Sequence, residues 1–176
     1  MGAGGSRKPT KTEIPPTRFP PKHVALEGMG FSRSALALVA SIALLGGCSR
    51  GVPVTVPAKG SDPVCVKAAA AWPASVSGRA NVATDPSDPA VHAWGDPAIV
   101  ARCGVAAPGP TTDDCLTVNG VDWVATPLSD GTRFVTYGRD PAIEVLIPKG
   151  DVPEGSLLPA FAPAAQTLPE TGRHCS

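Results

Sequence analysis

The sequence predicts an α+β domain: a small antiparallel β-meander of four or five strands, with a short N-terminal helix and short C-terminal helical turns, stapled by two disulfides. Three observations carry this expectation. Short β-rich runs follow one another between residues 98 and 147, separated by turn signals of which Asn119-Gly120 is the clearest. An alanine-rich run after Asp62-Pro63 has the pattern of a helix start. Four of the five cysteines, Cys65, Cys103, Cys115 and Cys175, lie in the same part of the chain, an even number suited to pairing.

From the N-terminus, residues 1–28 are rich in Pro, Lys, Arg and Thr and show no apolar periodicity. They read as a disordered extension or as the result of a mis-assigned start, with Met29 the other candidate first residue. Residues 29–47 read as a signal peptide: Arg33 supplies a basic residue, Ala35 to Leu45 an apolar core, and Gly46-Gly47 small residues before a cut. The apolar run is short of the roughly 20 residues a spanning helix needs, and the glycines end it. The run Leu45-Gly46-Gly47-Cys48 resembles the lipobox of bacterial lipoprotein signal peptides. That resemblance implies cleavage after Gly47 and a diacylglyceryl thioether on Cys48, which would hold the protein at the extracytoplasmic face of the cell membrane. Either start yields the same mature chain.

Loss of residues 1–47 leaves nine basic and thirteen acidic residues, a net charge of −4. A mildly acidic chain without a basic stripe is a poor nucleic-acid binder, and it gains nothing electrostatically from an anionic bilayer, so the acyl chains must do the anchoring. Residues 48–60, a run of Val, Pro, Thr and Gly without a large anchoring side chain, read as an extended tether reaching at most about 35–40 Å. Residues 61–176 then form a single secreted domain, a size at which disulfides help a modest core.

Within that domain, Asp62 caps and Pro63 opens a helix over Val64 to Trp72, and Pro73 ends it. Ala98 to Val105 reads as a strand. Cys115 to Val118 and Val121 to Val124 flank Asn119-Gly120, a pair that tolerates the two positive φ values of a type I′ hairpin. Thr132 to Tyr137 follows the Asp130-Gly131 turn, and Ala142 to Ile147 follows Gly138-Arg139-Asp140-Pro141. Between Glu154 and Gln166, Leu157, Leu158 and Phe161 stand at near-helical spacing interrupted by Pro159 and Pro163, which predicts one or two short helical turns packed on the sheet.

With Cys48 set aside, the four remaining cysteines allow three connectivities. The Pro/Gly-rich loop Gly104 to Asp114 would join two strand ends, which favours Cys103–Cys115 and leaves Cys65–Cys175 to close the domain. A metal site is not expected. Cys-x-x-Cys is absent, and His92 and His174 are the only histidines after residue 47.

Four stretches in order carry a further likeness: Trp94-Gly95-Asp96-Pro97, Arg102-Cys103-Gly104-Val105, Val118 to Trp123, and Tyr137-Gly138-Arg139 leading into Glu144-Val145-Leu146-Ile147-Pro148. Over about Ser61 to Cys175 they resemble the actinobacterial secreted and lipoprotein family catalogued as domain of unknown function 3515. The resemblance implies compartment and domain extent, and no activity, cofactor or catalytic residue.

The catalytic inventory is thin. In the chain after residue 47, Gly-x-Ser-x-Gly, Ser-x-x-Lys, His-Glu-x-x-His and a phosphate loop are all absent. His92 sits in a Pro/Asp-rich loop and His174 beside the C-terminus, where a base is poorly held. Asp122 and Glu144 form a carboxylate pair whose separation decides whether glycoside chemistry is open to them. Trp94, Arg102, Asp122, Tyr137, Arg139 and Glu144, with Trp123, make up a candidate binding surface, in which aromatic rings give rigid contact area and arginine takes a carboxylate; the plainer reading is tryptophans in the core and ion pairs across a sheet. The expectation is a membrane-anchored, non-catalytic binding or accessory module, meeting an envelope protein or a cell-wall glycan and using no cofactor. A structural envelope protein and an uncatalogued envelope hydrolase are the alternatives.

Overall fold

The computed structural model describes residues 50–150 and 152–176. The expected extension 1–28, the signal peptide 29–47 and Cys48 lie outside the described residues. In chain order the elements are β1 (Val52–Pro53), α1 (Pro63–Ala69), β2 (Ser75–Val76), β3 (Arg79–Val82), β4 (Thr84–Asp85), β5 (Val91–Trp94), β6 (Ile99–Val105), β7 (Asp114–Val118), β8 (Val121–Pro127), β9 (Gly131–Thr136), β10 (Ala142–Pro148), a 3₁₀ helix (Glu154–Phe161) and α2 (Ala162–Ala165).

Asn119 and Gly120 have φ of 50° and 74°, the left-handed pair that a type I′ turn requires, and they set the Val118↔Val121 register. The β7–β8 hairpin continues through β9 and β10 as the expected meander. On its far side β10 pairs with β6, and the sheet grows on through β5, β3 and β2 to eight antiparallel strands in the order β2-β3-β5-β6-β10-β9-β8-β7. The three added strands have two to four residues each and lie among Pro73, Pro86 and Pro89, so no alternating run marked them. The Ser77-Gly78 turn, with φ of 49° and 78°, was their one legible signal.

Alternation along the strands divides the sheet into two faces. One carries Trp94, Ile99, Ala101, Cys103, Trp123, Phe134, Ile143, Val145 and Ile147, and α1, the 3₁₀ helix and α2 cover it with Ala68, Leu157, Leu158, Phe161 and Ala165. Trp94 meets Phe161 edge to face at 5.5 Å between centroids. Helix α1 starts at its sequence signal: the Asp62 carboxylate accepts from Val64 N–H at 2.9 Å, and Pro63 lies in the first turn. The C-terminal turns are largely 3₁₀ because Pro159, inside the segment, has no N–H to extend an α-helical ladder.

The disulfide pairing differs from the expected one. The bonds are Cys65–Cys103 and Cys115–Cys175, with Cα separations of 5.5 and 5.6 Å. Three strands stand between β6 and β7, so Cys103 and Cys115 are four strand spacings apart, about 19 Å. They also point to opposite faces, since Cys103 opposes core-facing Ile143 while Cys115 opposes Val124 on the other side. Cys103 therefore meets α1, and Cys115 meets the C-terminal tail.

The tether expected over 48–60 is also corrected. From Val52 onward this segment is strapped to the domain: Val52 N–H and Val54 N–H donate to the Ala83 and Asp85 carbonyls, β1 pairs in parallel with β4 as a separate two-stranded sheet, and Lys59 N–H donates to the Gly104 carbonyl of the main sheet. Gly104 makes the last contact possible. It is the extra residue of a bulge in β6, with φ of 105°, and any side chain there would collide with the Lys59 and Gly60 backbone. Composition identified an extended segment correctly, but an extended segment offers free backbone groups, and here a protein surface accepts them.

Candidate functional site

Among the described residues no helix covers the second sheet face, which holds a cluster of polar groups. Glu144 of β10 stands at its centre, opposed by Arg102 on β6 and Val135 on β9. Its Oε1 accepts from Arg102 Nε at 2.6 Å, Arg133 Nη1 lies 3.8 Å from Oε2, and the side chain is only 5% exposed. Arg102 then donates through Nη1 to the Thr55 carbonyl at 3.3 Å, so the same guanidinium holds the carboxylate and the N-terminal strap. A carboxylate taken out of water is tolerated only when charged and hydrogen-bonded partners replace the water.

Asp122 of β8 plays the matching part at the C-terminal end. Its carboxylate accepts from Thr117 Oγ1 and, at 3.1 Å, from Cys175 N–H, and it faces His174 Nδ1 at 3.3 Å. Burial alone would raise its pKa; the hydrogen bonds from Thr117, Cys175 and His174, and the charge of His174, outweigh that and hold it below the ordinary carboxylate value. Together with Cys115–Cys175 this pins the tail against β7 and β8.

Between these two restraints the face is open. A depression of about 300 Å³ is bordered by Thr111, Asp113, Cys115, Val124, Tyr137 and His174. A second, of about 310 Å³, lies along the strap and is bordered by Val54, Thr55, Val100, Arg102 and Leu146. Tyr137 is half-buried and presents its ring to the first. Polar groups from the strap and from the C-terminal tail thus meet sheet residues around shallow floors, a geometry suited to holding an extended or flat ligand.

Of the six residues expected to form one surface, Arg102, Asp122, Tyr137 and Glu144 share this face. Trp94 does not. It is fully buried on the helical side, with Nε1 donating to the Pro73 carbonyl at 2.9 Å. Its place follows from strand parity, because it opposes Ile99, a core position. Arg139 is also withdrawn: only 5% exposed, it donates to the Leu168 carbonyl at 2.7 Å and to Glu170 at 2.8 Å, which fastens the chain after α2. Trp123 lies in the core with its Nε1 unpartnered. Thr55, Thr117, Val124 and Arg133 belong to the face and were not expected there. The Val118↔Val121 register could have identified Thr117 as the neighbour of Asp122; no local signal could have identified Thr55.

Chemically, the face offers recognition more readily than catalysis. Asp122 and Glu144 are two strands and two residues apart in register, roughly 11–12 Å between Cα atoms, and both carboxylates are engaged. His174 has an orienting carboxylate, yet among the described residues no hydroxyl donates to it. His92 sits on the opposite face between Trp72 and Trp94, with Nδ1 3.2 Å from Asn81 Nδ2, and burial lowers its pKa. No three metal-ligating side chains converge among the described residues.

Fold and site define a disulfide-stapled sheet domain, helices on one face and, on the other, a polar face pinned by the strap over 52–60 and by the C-terminal tail. Residues 35–171 match the family described as "Protein of unknown function (DUF3515)", and the chain belongs to that family. No match was found among curated proteins or among solved structures.

Proposed function

We propose that the protein is a lipid-anchored extracytoplasmic module that binds an envelope protein or a cell-wall glycan through the helix-free face of its sheet. The observation that carries this reading is the floor around Tyr137 and Val124, edged by a tail that a buried carboxylate and a disulfide hold in place, on the same sheet face as the depression along the strap that the Arg102–Glu144 pair secures. Rigid framing lowers the ordering cost of binding. Two disulfides suit an oxidising compartment, and Leu45-Gly46-Gly47-Cys48 supplies the anchoring signal.

The test is cross-linking in living cells of the C-terminally tagged protein, with Cys48→Ser and Tyr137→Ala as comparisons. Cys48→Ser releases a folded domain from membranes, and Tyr137→Ala loses the captured partner while keeping wild-type stability. Retention of Cys48→Ser on membranes after a high-salt wash refutes the anchor. An unchanged capture with Tyr137→Ala refutes the assignment of the face.

A further inference from the structure

We infer that the domain lies directly against the bilayer, seated on the end of its sheet that carries the 95–98 and 128–130 turns. The inference rests on the anchor of the preceding reading and deepens it by specifying the membrane-facing surface. Cys48 precedes Arg50 by two residues, and successive Cα atoms are about 3.8 Å apart, so an acyl anchor on Cys48 starts within roughly 7–8 Å of the Arg50 Cα. Because the strap is already bound at Val52 to Ala83 and β4, which follow β3 directly, no free tether lengthens that distance.

Register defines what lies beside Arg50. Arg50 and Val52 border a depression with Val82, Gly95, Asp96 and Ala98, at the turn that joins β5 to β6. The antiparallel ladders bring the end of β10, the start of β9 and the end of β8 to the same end of the sheet, through Leu146↔Val100, Pro148↔Gly131 and Pro127↔Thr132. Leu128 follows β8 here, and Lys149 N–H donates to the Asp130 carbonyl. Among the described residues three large apolar side chains remain exposed, Val66, Leu128 and Val152; Leu128 follows β8 at this end, and Val152 comes four residues after β10 ends there. Arg50, Arg79 and Lys149 belong to this end as well, and Asp96, Asp130 and, next in sequence to Gly150, Asp151 balance that charge. Apolar tips within a balanced polar rim match the headgroup boundary of the leaflet that would hold the Cys48 acyl chains. The strap then runs away from the membrane along the open face, from Arg50 to Lys59 beside Gly104. The floor around Tyr137, six residues along β9 from Gly131, therefore stands about 20 Å from that end of the sheet and faces sideways, toward ligands held above the membrane surface.

The experiment places a benzophenone amino acid at Leu128, at Val152, or at exposed Ala106 just beyond the opposite end of β6. Each is introduced into the full-length lipidated protein in vesicles of phosphatidylethanolamine and phosphatidylglycerol. Intact mass first reports the lipid on Cys48, and illumination then reports lipid adducts. Adducts at positions 128 and 152 with none at 106 are expected. A lipidated protein with no adduct at 128 or 152, or with equal adducts at 106, overturns the orientation alone; adducts to protein in whole cells in place of lipid overturn it as well. An unlipidated Cys48 overturns both readings.

Discussion

Replacing Glu144 by Gln removes one charge from the least exposed ion pair among the described residues and tests how the strap is held. Glu144 is 5% exposed and accepts from Arg102 Nε at 2.6 Å, while the Arg102 side chain keeps 26% exposure. Removing one partner of a buried pair costs about 3–5 kcal/mol, because the other charge stays desolvated. Arg102 can turn partly toward water, so the expected loss is nearer 2–3 kcal/mol, a large share of a typical stability of about 5–15 kcal/mol. Arg133, 44% exposed and 3.8 Å away, gives the internal comparison; Arg133→Gln should cost under about 1 kcal/mol. The double variant Arg102→Met/Glu144→Leu, which buries neither charge, should return to within about 1 kcal/mol of the wild type. Urea unfolding with a common m-value measures all four proteins. Hydrogen exchange at Val52 and Val54 supplies a second readout, since loss of the Glu144 carboxylate frees Arg102 from the Thr55 carbonyl and loosens the strap. A Glu144→Gln loss no larger than that of Arg133→Gln, or a double variant no better than Glu144→Gln alone, would refute the reasoning.

Three further outcomes are expected. Non-reducing peptide maps should link Cys65 to Cys103 and Cys115 to Cys175; with a sequence separation of 60 for the latter pair, Cys115→Ser/Cys175→Ser should lose about 4 kcal/mol in chemical denaturation, and a map linking Cys103 to Cys115 contradicts the fold. Stability should fall with acid in two windows. His92, lowered by burial, loses its contribution as pH drops below the ordinary imidazole value of about 6.5 toward its folded value; Asp122, also lowered, contributes fully above the ordinary value of about 3.9 and is lost as pH falls through its own. His92→Asn should flatten the first window and Asp122→Asn the second, read from melting temperature against pH. Gly104→Ala should cost at least about 2 kcal/mol and speed exchange at Lys59, because the added methyl displaces the strap; unchanged exchange would show that the strap is held elsewhere.

Much of the sheet was legible because its signals are local. Asn119-Gly120 forces one turn type, and strands β6 to β10 carry enough apolar residues in a short span to declare themselves. The short β2, β3 and β5 have no such run and exist because β6 offers them an edge. Likewise Arg102 and Glu144 could be chosen as a charged pair from residue type, and they do meet. Trp94 and Arg139 could not be placed that way, since one falls on the core face by parity and the other is claimed by the chain after α2.

What the sequence by itself determined is set by neighbours along the chain: the apolar run closed by Leu45-Gly46-Gly47-Cys48, the capped start of α1, the hairpin turn and the family to which residues 35–171 belong. What only the tertiary structure decided is set by residues far apart: which cysteines pair, which face each strand residue takes, and whether residues 52–60 hang free. The physical reason is strand order. Placing β10 beside β6 separates β6 from β7 by three strands, carries Cys103 away from Cys115, and leaves the bulge at Gly104 open to the strap; no local propensity encodes a pairing between strands almost forty residues apart.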